Sequence, residues 1–218
     1  MGCPAEKTAR VFGKCSSLLL IILFVCCGKQ KDTLPYYDQA DFTPIWDLDT
    51  LEHPLHEIGR FQFTDQKGSQ VSNETFDGKI YIANFFFTSC PGICPRMTDN
   101  LKKVADTFRD HEDVLFISHS VTPWIDSLPR LNEFANKYTI DQHQWHLVTG
   151  NAETINTLAR QSYYAENEPG LSKDSTEFLH TEHCLLIDRE RRIRGVYNGT
   201  LELEMTRLQE DIVILLNE

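Results

Sequence analysis

The chain has no apolar run long enough to cross a bilayer comfortably, no internal repeat, no low-complexity tract and a shortage of positive charge. Its N-terminal apolar run, Ser16 to Val25, falls well short of the about 20 residues a transmembrane helix needs. Lys and Arg number 21 against 32 Asp and Glu, a formal charge of -11. That balance argues against nucleic acid as a partner and does not favour direct adsorption to anionic lipid.

What is present at the N-terminus reads as an export signal. Lys7, Arg10 and Lys14 form a basic region ahead of the short apolar run, which ends in Cys26-Cys27-Gly28. The pattern resembles a bacterial lipoprotein signal over residues 1–26, with Cys27 as the lipidated new N-terminus; an uncleaved anchor is the alternative. Such a lipoprotein would sit in the cell envelope, membrane-anchored with its domain outside the cytoplasm, on the periplasmic side of a Gram-negative cell. Two or more acyl chains would hold it stably. Processing removes Lys7, Arg10, Lys14 and Glu6, a net +2, so the charge of -11 becomes -13. Residues 27–52, with Pro35, Tyr36, Tyr37 and Pro44, are expected to form an extended tether with little regular structure. Residues 53–218 are expected to form one domain.

Of the seven cysteines, Cys27, Cys90, Cys94 and Cys184 survive that cut. With Cys27 lipidated and Cys184 in an apolar strand, no disulfide scaffold can form, which leaves Cys90 and Cys94 as the reactive pair. They lie in Thr88-Ser89-Cys90-Pro91-Gly92-Ile93-Cys94-Pro95, entered from the apolar run Ile80 to Phe87. That run is short, β-branched and aromatic, as expected of a strand covered on both faces. Downstream, Met97, Leu101, Val104 and Phe108 recur at helical spacing, which puts Cys94 on the first turn of a helix or just before it. The N–H groups and positive dipole end there lower a thiol's pKa. The pair is poised for a disulfide, a metal, or both.

Strands and helices alternate after Ile80: a strand at Val114 to Val121, a helix at Leu128 to Tyr138, a strand at Trp145 to Thr149, and a helix capped by Asn151. Cys184 to Asp188 and Ile193 to Tyr197 read as a hairpin. Thr200 is the expected cap of a last helix with Met205, Leu208, Ile212 and Leu215 on one face. Ahead of the main strand, Phe61-Gln62-Phe63 and Gln70-Val71 suggest a small hairpin around a turn at Asp65 to Gly68. This order points to an α/β, thioredoxin-like fold, a central mixed sheet flanked by helices. A polar, turn-rich loop from Ala165 to Glu177 leads to His180.

His180 and His183 flank Thr181-Glu182. In an extended segment, residues three apart point to opposite faces, so both imidazoles should not serve one ion. His180 can swing toward the thiols, whereas His183 should be fixed in the sheet. Two thiolates suit Cu(I), and an added imidazole also accommodates Cu(II). His119 and Asp126 are further residues that could approach the cysteine end of the sheet. The other histidines and the Arg189 to Arg194 cluster read as surface or structural groups.

Cys90-Pro91-Gly92-Ile93-Cys94-Pro95, then Ser120-Val121-Thr122-Pro123-Trp124-Ile125-Asp126, then His180 eight residues before Asp188, resembles the Sco/SenC family from about Thr64 to the C-terminus. The resemblance implies a membrane-tethered, thioredoxin-like protein that binds copper through Cys90, Cys94 and His180. It also implies a part in building the CuA centre of cytochrome c oxidase, whose CuA subunit would be the partner, alongside other copper carriers or thiol reductants. The family often has Asp-Pro where this chain has Thr122-Pro123, and keeps the following acidic position, here Asp126. A metallochaperone is the first expectation. The alternative is a thiol-disulfide oxidoreductase that keeps the recipient's cysteines reduced, with Cys90 and Cys94 as its redox pair. A peroxide-reducing relative would carry Thr three residues before its reactive Cys, where this chain has Phe87.

Overall fold

Residues of the central strand β3 (Ile80–Phe86) alternate between two cores, and every one of them is buried. Ile80, Ile82 and Phe86 face one layer while Tyr81, Ala83 and Phe85 face the other, as the two-residue period of a strand requires. The computed structural model describes residues 33–165 and 181–218, within the compact unit Thr33–Glu218. The proposed signal peptide, Cys27 and His180 lie outside the described residues.

The sheet has seven strands: β1 (Gln62–Asp65), β2 (Gln70–Ser72), β3, β4 (Val114–Ser120), β5 (Trp145–Thr149), β6 (His183–Ile187) and β7 (Ile193–Asn198), in the order β2-β1-β5-β4-β3-β6-β7. β3, β4 and β5 are parallel, and β6 returns antiparallel beside β3 before turning into β7. Helices α1 (Ile93–Thr107), α2 (Leu128–Lys137) and α4 (Glu202–Asn217) bury their apolar stripes in the first core. Helix α3 (Ala152–Gln161) buries Ile155, Leu158 and Ala159 in the second. The fold is thioredoxin-like. Among the described residues no helix is long and apolar enough to cross a membrane.

Local rules set some element ends. Asn151 caps α3 by accepting from the Thr154 N–H. Thr200 does not cap α4: its N–H and hydroxyl both donate to Asn198 Oδ1, at 2.9 and 2.6 Å, and Leu201 stands at the cap position with no side-chain bond. The expected tether also differs. Its described part packs on the domain, with Leu34 buried in the first core, Tyr36 bridged to Ile45 and Tyr37 to Ile193. The cause is Arg194. Buried on β7, its guanidinium donates to the carbonyls of Leu34 and Pro35 at 2.8 and 3.1 Å, to Glu218 and to Asp188, and lies 4.2 Å from the Tyr36 ring centroid. A buried guanidinium needs its donors matched, and this segment supplies two acceptors.

His119, on β4, is fully buried among Phe61, Phe63, Phe85 and Tyr163 in the second core, and neither ring nitrogen has a hydrogen-bond partner. Burial pushes its pKa down from 6.5 to about 3. Between those values the unfolded chain takes up a proton that the native state refuses, so this contribution to stability is complete above about pH 6.5 and lost as pH falls toward 3. The expected slope is about 1.4 kcal/mol per pH unit. His119→Phe should remove it. Urea midpoints at pH 7, 5 and 4 should fall less steeply in the variant than in the wild type, and parallel curves would refute the assignment.

Candidate metal and thiol site

Helix α1 begins with an unmet need. Its cap residue, Gly92, offers no side chain to the N–H groups of the first turn, which in any helix lack an internal partner. The Cys90 sulfur takes that place, with the N–H groups of Cys94, Gly92 and Ile93 directed to it and the Cys94 thiol beside it. Pro95, in the first turn, has no N–H to leave unpaired. Burial alone would raise the Cys90 pKa, but these hydrogen bonds outweigh it and hold the thiol below its ordinary value. Cys94 behaves oppositely. It is buried, and desolvation together with the adjacent Cys90 sulfur pushes its pKa up to about 12. The first negative charge of the pair therefore rests on Cys90, which is also the more exposed. Both are free thiols.

The loop that presents Cys90 is fixed from β4. Asp126 is buried and accepts from Thr88 Oγ1 at 2.5 Å, Ser120 Oγ at 2.6 Å and Thr122 Oγ1 at 3.0 Å, with the Thr88 N–H at 3.3 Å. Arg130 Nε donates to Thr88 Oγ1 at 2.8 Å. Asp126 thus reaches the cysteine end of the sheet as expected, whereas His119 lies in the opposite layer and does not. Thr122, where the family often has Asp, spends its hydroxyl on Asp126.

On the other side the site is held through Gly199. Its N–H donates to Glu182 O at 2.8 Å, just ahead of β6, and its carbonyl accepts from Asn100 Nδ2 of α1 at 3.1 Å. A Cβ at Gly199 would stand 2.6 Å from both Cys184 Sγ and Met97 Cγ, so the strand that follows His180 and the helix that carries Cys94 meet across a contact only glycine permits. Cys184 is a fully buried core residue whose thiol burial pushes far up. His183 opens β6, half-buried with its ring centroid 5.7 Å from that of Phe42 in an edge-to-face contact, and burial lowers its pKa against the pull of Glu182. Among the described residues no three His, Cys, Asp or Glu side chains stand together as a metal site; the expected third ligand, His180, lies outside them. Sequence reasoning missed the roles of Thr88, Asn100 and Arg130, whose partners are 38 or more residues distant, and of Gly199, whose close approach to Met97 and Cys184 no local pattern marks.

A parallel strand that feeds two thiols into a helix N-terminus defines a thioredoxin-like thiol or soft-metal protein. Within that class, the chain belongs to the SCO1/SenC family, which it matches over residues 50–215. It is similar to the crystal structure of a SCO1/SenC family lipoprotein from Bacillus anthracis str. Ames, with TM-score 0.65 and 29% identity, covering 77% of this chain and 99% of that one. It also resembles BsSco, described as a member of the Sco family of cytochrome c oxidase assembly proteins in which a disulfide switch was identified, with TM-score 0.59, 27% identity and coverage of 72% and 92%. Bradyrhizobium japonicum ScoI, solved with copper bound, aligns with TM-score 0.56, 25% identity and coverage of 70% and 97%.

Alkylation of the reduced chain should modify Cys90 first, its rate rising with pH through a midpoint below that of an ordinary thiol, and should reach Cys94 only at far higher pH. Mass mapping that finds Cys94 first would refute the asymmetry. Gly199→Ala should destabilise the fold by about 1–3 kcal/mol through overpacking, seen as a lower urea midpoint; an unchanged midpoint would mean that the contact yields freely.

Proposed function

We propose that the chain is a copper metallochaperone that takes up one copper ion through Cys90, Cys94 and His180 and delivers it to the CuA site of cytochrome c oxidase. The observation that carries this reading is the thiol pair itself: two sulfurs in contact at the start of α1, one of them favouring the thiolate. Thiolates are soft ligands suited to Cu(I), and one imidazole extends the set to Cu(II). Three ligands leave a position open for a recipient's ligand, which a carrier needs in order to let go. Copper is cargo here, and a relative of the same fold has been solved with it bound. The same reading gives residues 1–26 as a lipoprotein signal and Cys27 as the lipid anchor of an envelope protein, in line with the description of the Bacillus anthracis relative as a lipoprotein.

A second reading, a thiol-disulfide oxidoreductase that reduces the recipient's cysteines, is favoured by the opposed pKa directions. A low-pKa Cys90 would attack and a protected Cys94 would resolve the mixed disulfide. The two readings differ in their need for His180.

Anaerobic copper titration of the reduced chain should end at one copper per chain, with thiolate-to-copper charge transfer and a paramagnetic signal in the oxidised form. His180→Ala should abolish the charge-transfer band and His183→Ala should retain it. Absence of stoichiometric copper, or binding indifferent to His180, would overturn the carrier in favour of the oxidoreductase.

A further inference from the structure

An open groove of about 430 Å³ lies between α2 and the loop that carries Cys90, lined by Thr88, Arg130, Glu133, Phe134 and Lys137 among others. The four α2 residues recur at intervals of three and four, so they share one face of the helix. Phe134 is the floor: its ring is buried, with the Phe86 and Tyr138 centroids 5.2 and 4.6 Å away. Phe134 and Cys90 belong to the same core layer. Thr88 lines the groove two residues before Cys90, and Cα atoms at that separation lie within about 7 Å of each other. The more exposed thiol therefore stands at one end of the groove.

Two cations and one carboxylate line this groove, in a chain whose formal charge is -11. Arg130 donates from Nε to Thr88 Oγ1 at 2.8 Å, which holds the guanidinium at the Cys90 end and leaves its terminal N–H groups without a carboxylate among the described residues. Lys137, its ammonium 5.1 Å from the Tyr138 ring centroid, has no carboxylate partner among them either. Lys79, Lys102 and Lys103, by contrast, are each paired with an acid. Arg130 and Lys137 are seven residues apart on α2, about 10 Å at the rise of a helix. That is the span of three extended residues with a carboxylate at each end. An ammonium on the same molecule would answer Glu133.

We propose that the groove binds a tripeptide-sized thiol or its disulfide, through carboxylates at its two ends, and presents the sulfur to Cys90. This rests on the redox pair assigned above and names a small-molecule reactant for it, separate from any protein recipient. The Cys90 thiolate attacks one sulfur of the small disulfide, the S–S bond breaks, and one half leaves as a thiolate that takes up a proton from water. Cys94 then gives its proton to solvent and displaces the second half from Cys90. Two protein thiols have become one disulfide, and one small disulfide has become two thiols. Run in reverse, two small thiols restore the reduced pair that copper uptake requires.

The test follows oxidation of the reduced, copper-free chain by oxidised glutathione and by neutral hydroxyethyl disulfide, with the Cys90–Cys94 bond read by mass. The ratio of the two rates cancels any change in the reactivity of the thiols themselves. In the wild type the glutathione rate should saturate with concentration. Lys137→Glu should lower the ratio at least fivefold, whereas Lys103→Glu, the same charge change on α1 outside the groove, should not. An unsaturable rate or an unchanged ratio in Lys137→Glu would overturn the groove. An equal fall in Lys103→Glu would do so too, because the effect would then belong to net charge. Binding is read without redox chemistry from S-methylglutathione, which should slow alkylation of Cys90 by iodoacetamide in the wild type and do so less in Lys137→Glu. Equal protection by citrate at the same ionic strength would reduce the groove to an unselective anion site and overturn the assignment. If neither disulfide oxidises the wild-type pair, the redox reading of Cys90 and Cys94 fails and the exchange step with it, while the protection assay still decides whether the groove binds.

Discussion

The rest of the site depends on the N–H groups that α1 leaves unpaired at its start. Gly92 cannot cap them, so the Cys90 sulfur does, and the charge that the helix end favours is carried by a side chain capable of chemistry. Capping and reactivity are then one interaction. A stronger donor set at the helix end makes a better thiolate, and anything that loosens the first turn raises the thiol again. Cys94, only four residues on, is drawn the other way because the same helix carries it into the core beside Met97. One element supplies both a charged and a protected sulfur.

Such an arrangement holds only if the loop before α1 and the strands around it stay in place. Asp126 gathers three hydroxyls from the Cys90 loop and the end of β4, so the loop is tied to the sheet by bonds to a buried carboxylate, each worth more than a neutral hydrogen bond. Gly199 performs the matching task toward β6 with backbone groups alone. The two differ in kind. Loss of the carboxylate would leave two buried hydroxyls and the half-buried one of Thr88 without their acceptor, while a methyl at position 199 would force a strand and a helix apart.

The elements that sequence rules describe well are those whose causes are local. The β3 run, the α1 periodicity, the Asn151 cap and the β6–β7 hairpin follow from residues within a few positions of one another, and so does the presence of Cys94 in the first turn of α1. The Thr200 cap failed for a reason also local but competitive: Asn198 Oδ1 reached the hydroxyl first. The segment after residue 32 was unreadable because what holds it, Arg194, lies over 150 residues away and asks for carbonyl oxygens that any sequence offers. Gly199 shows no signal at all, since a glycine after Asn reads as a turn whether or not a helix packs against it.

His119 and Asp126 mark the two ways this fold buries polar groups. Asp126 is satisfied and sits near the cysteine loop; His119 is unsatisfied and sits in the far layer, where its neutrality is enforced by four aromatic neighbours and no acceptor. A protonated imidazole there would face Phe85 in near-parallel stacking and Phe61 and Phe63 edge-on, with no carboxylate among its ring contacts. A cation at this position of β4 would find no counter-charge among those rings. Keeping that histidine neutral leaves the helix end and its hydrogen bonds as the groups that set the charge on Cys90.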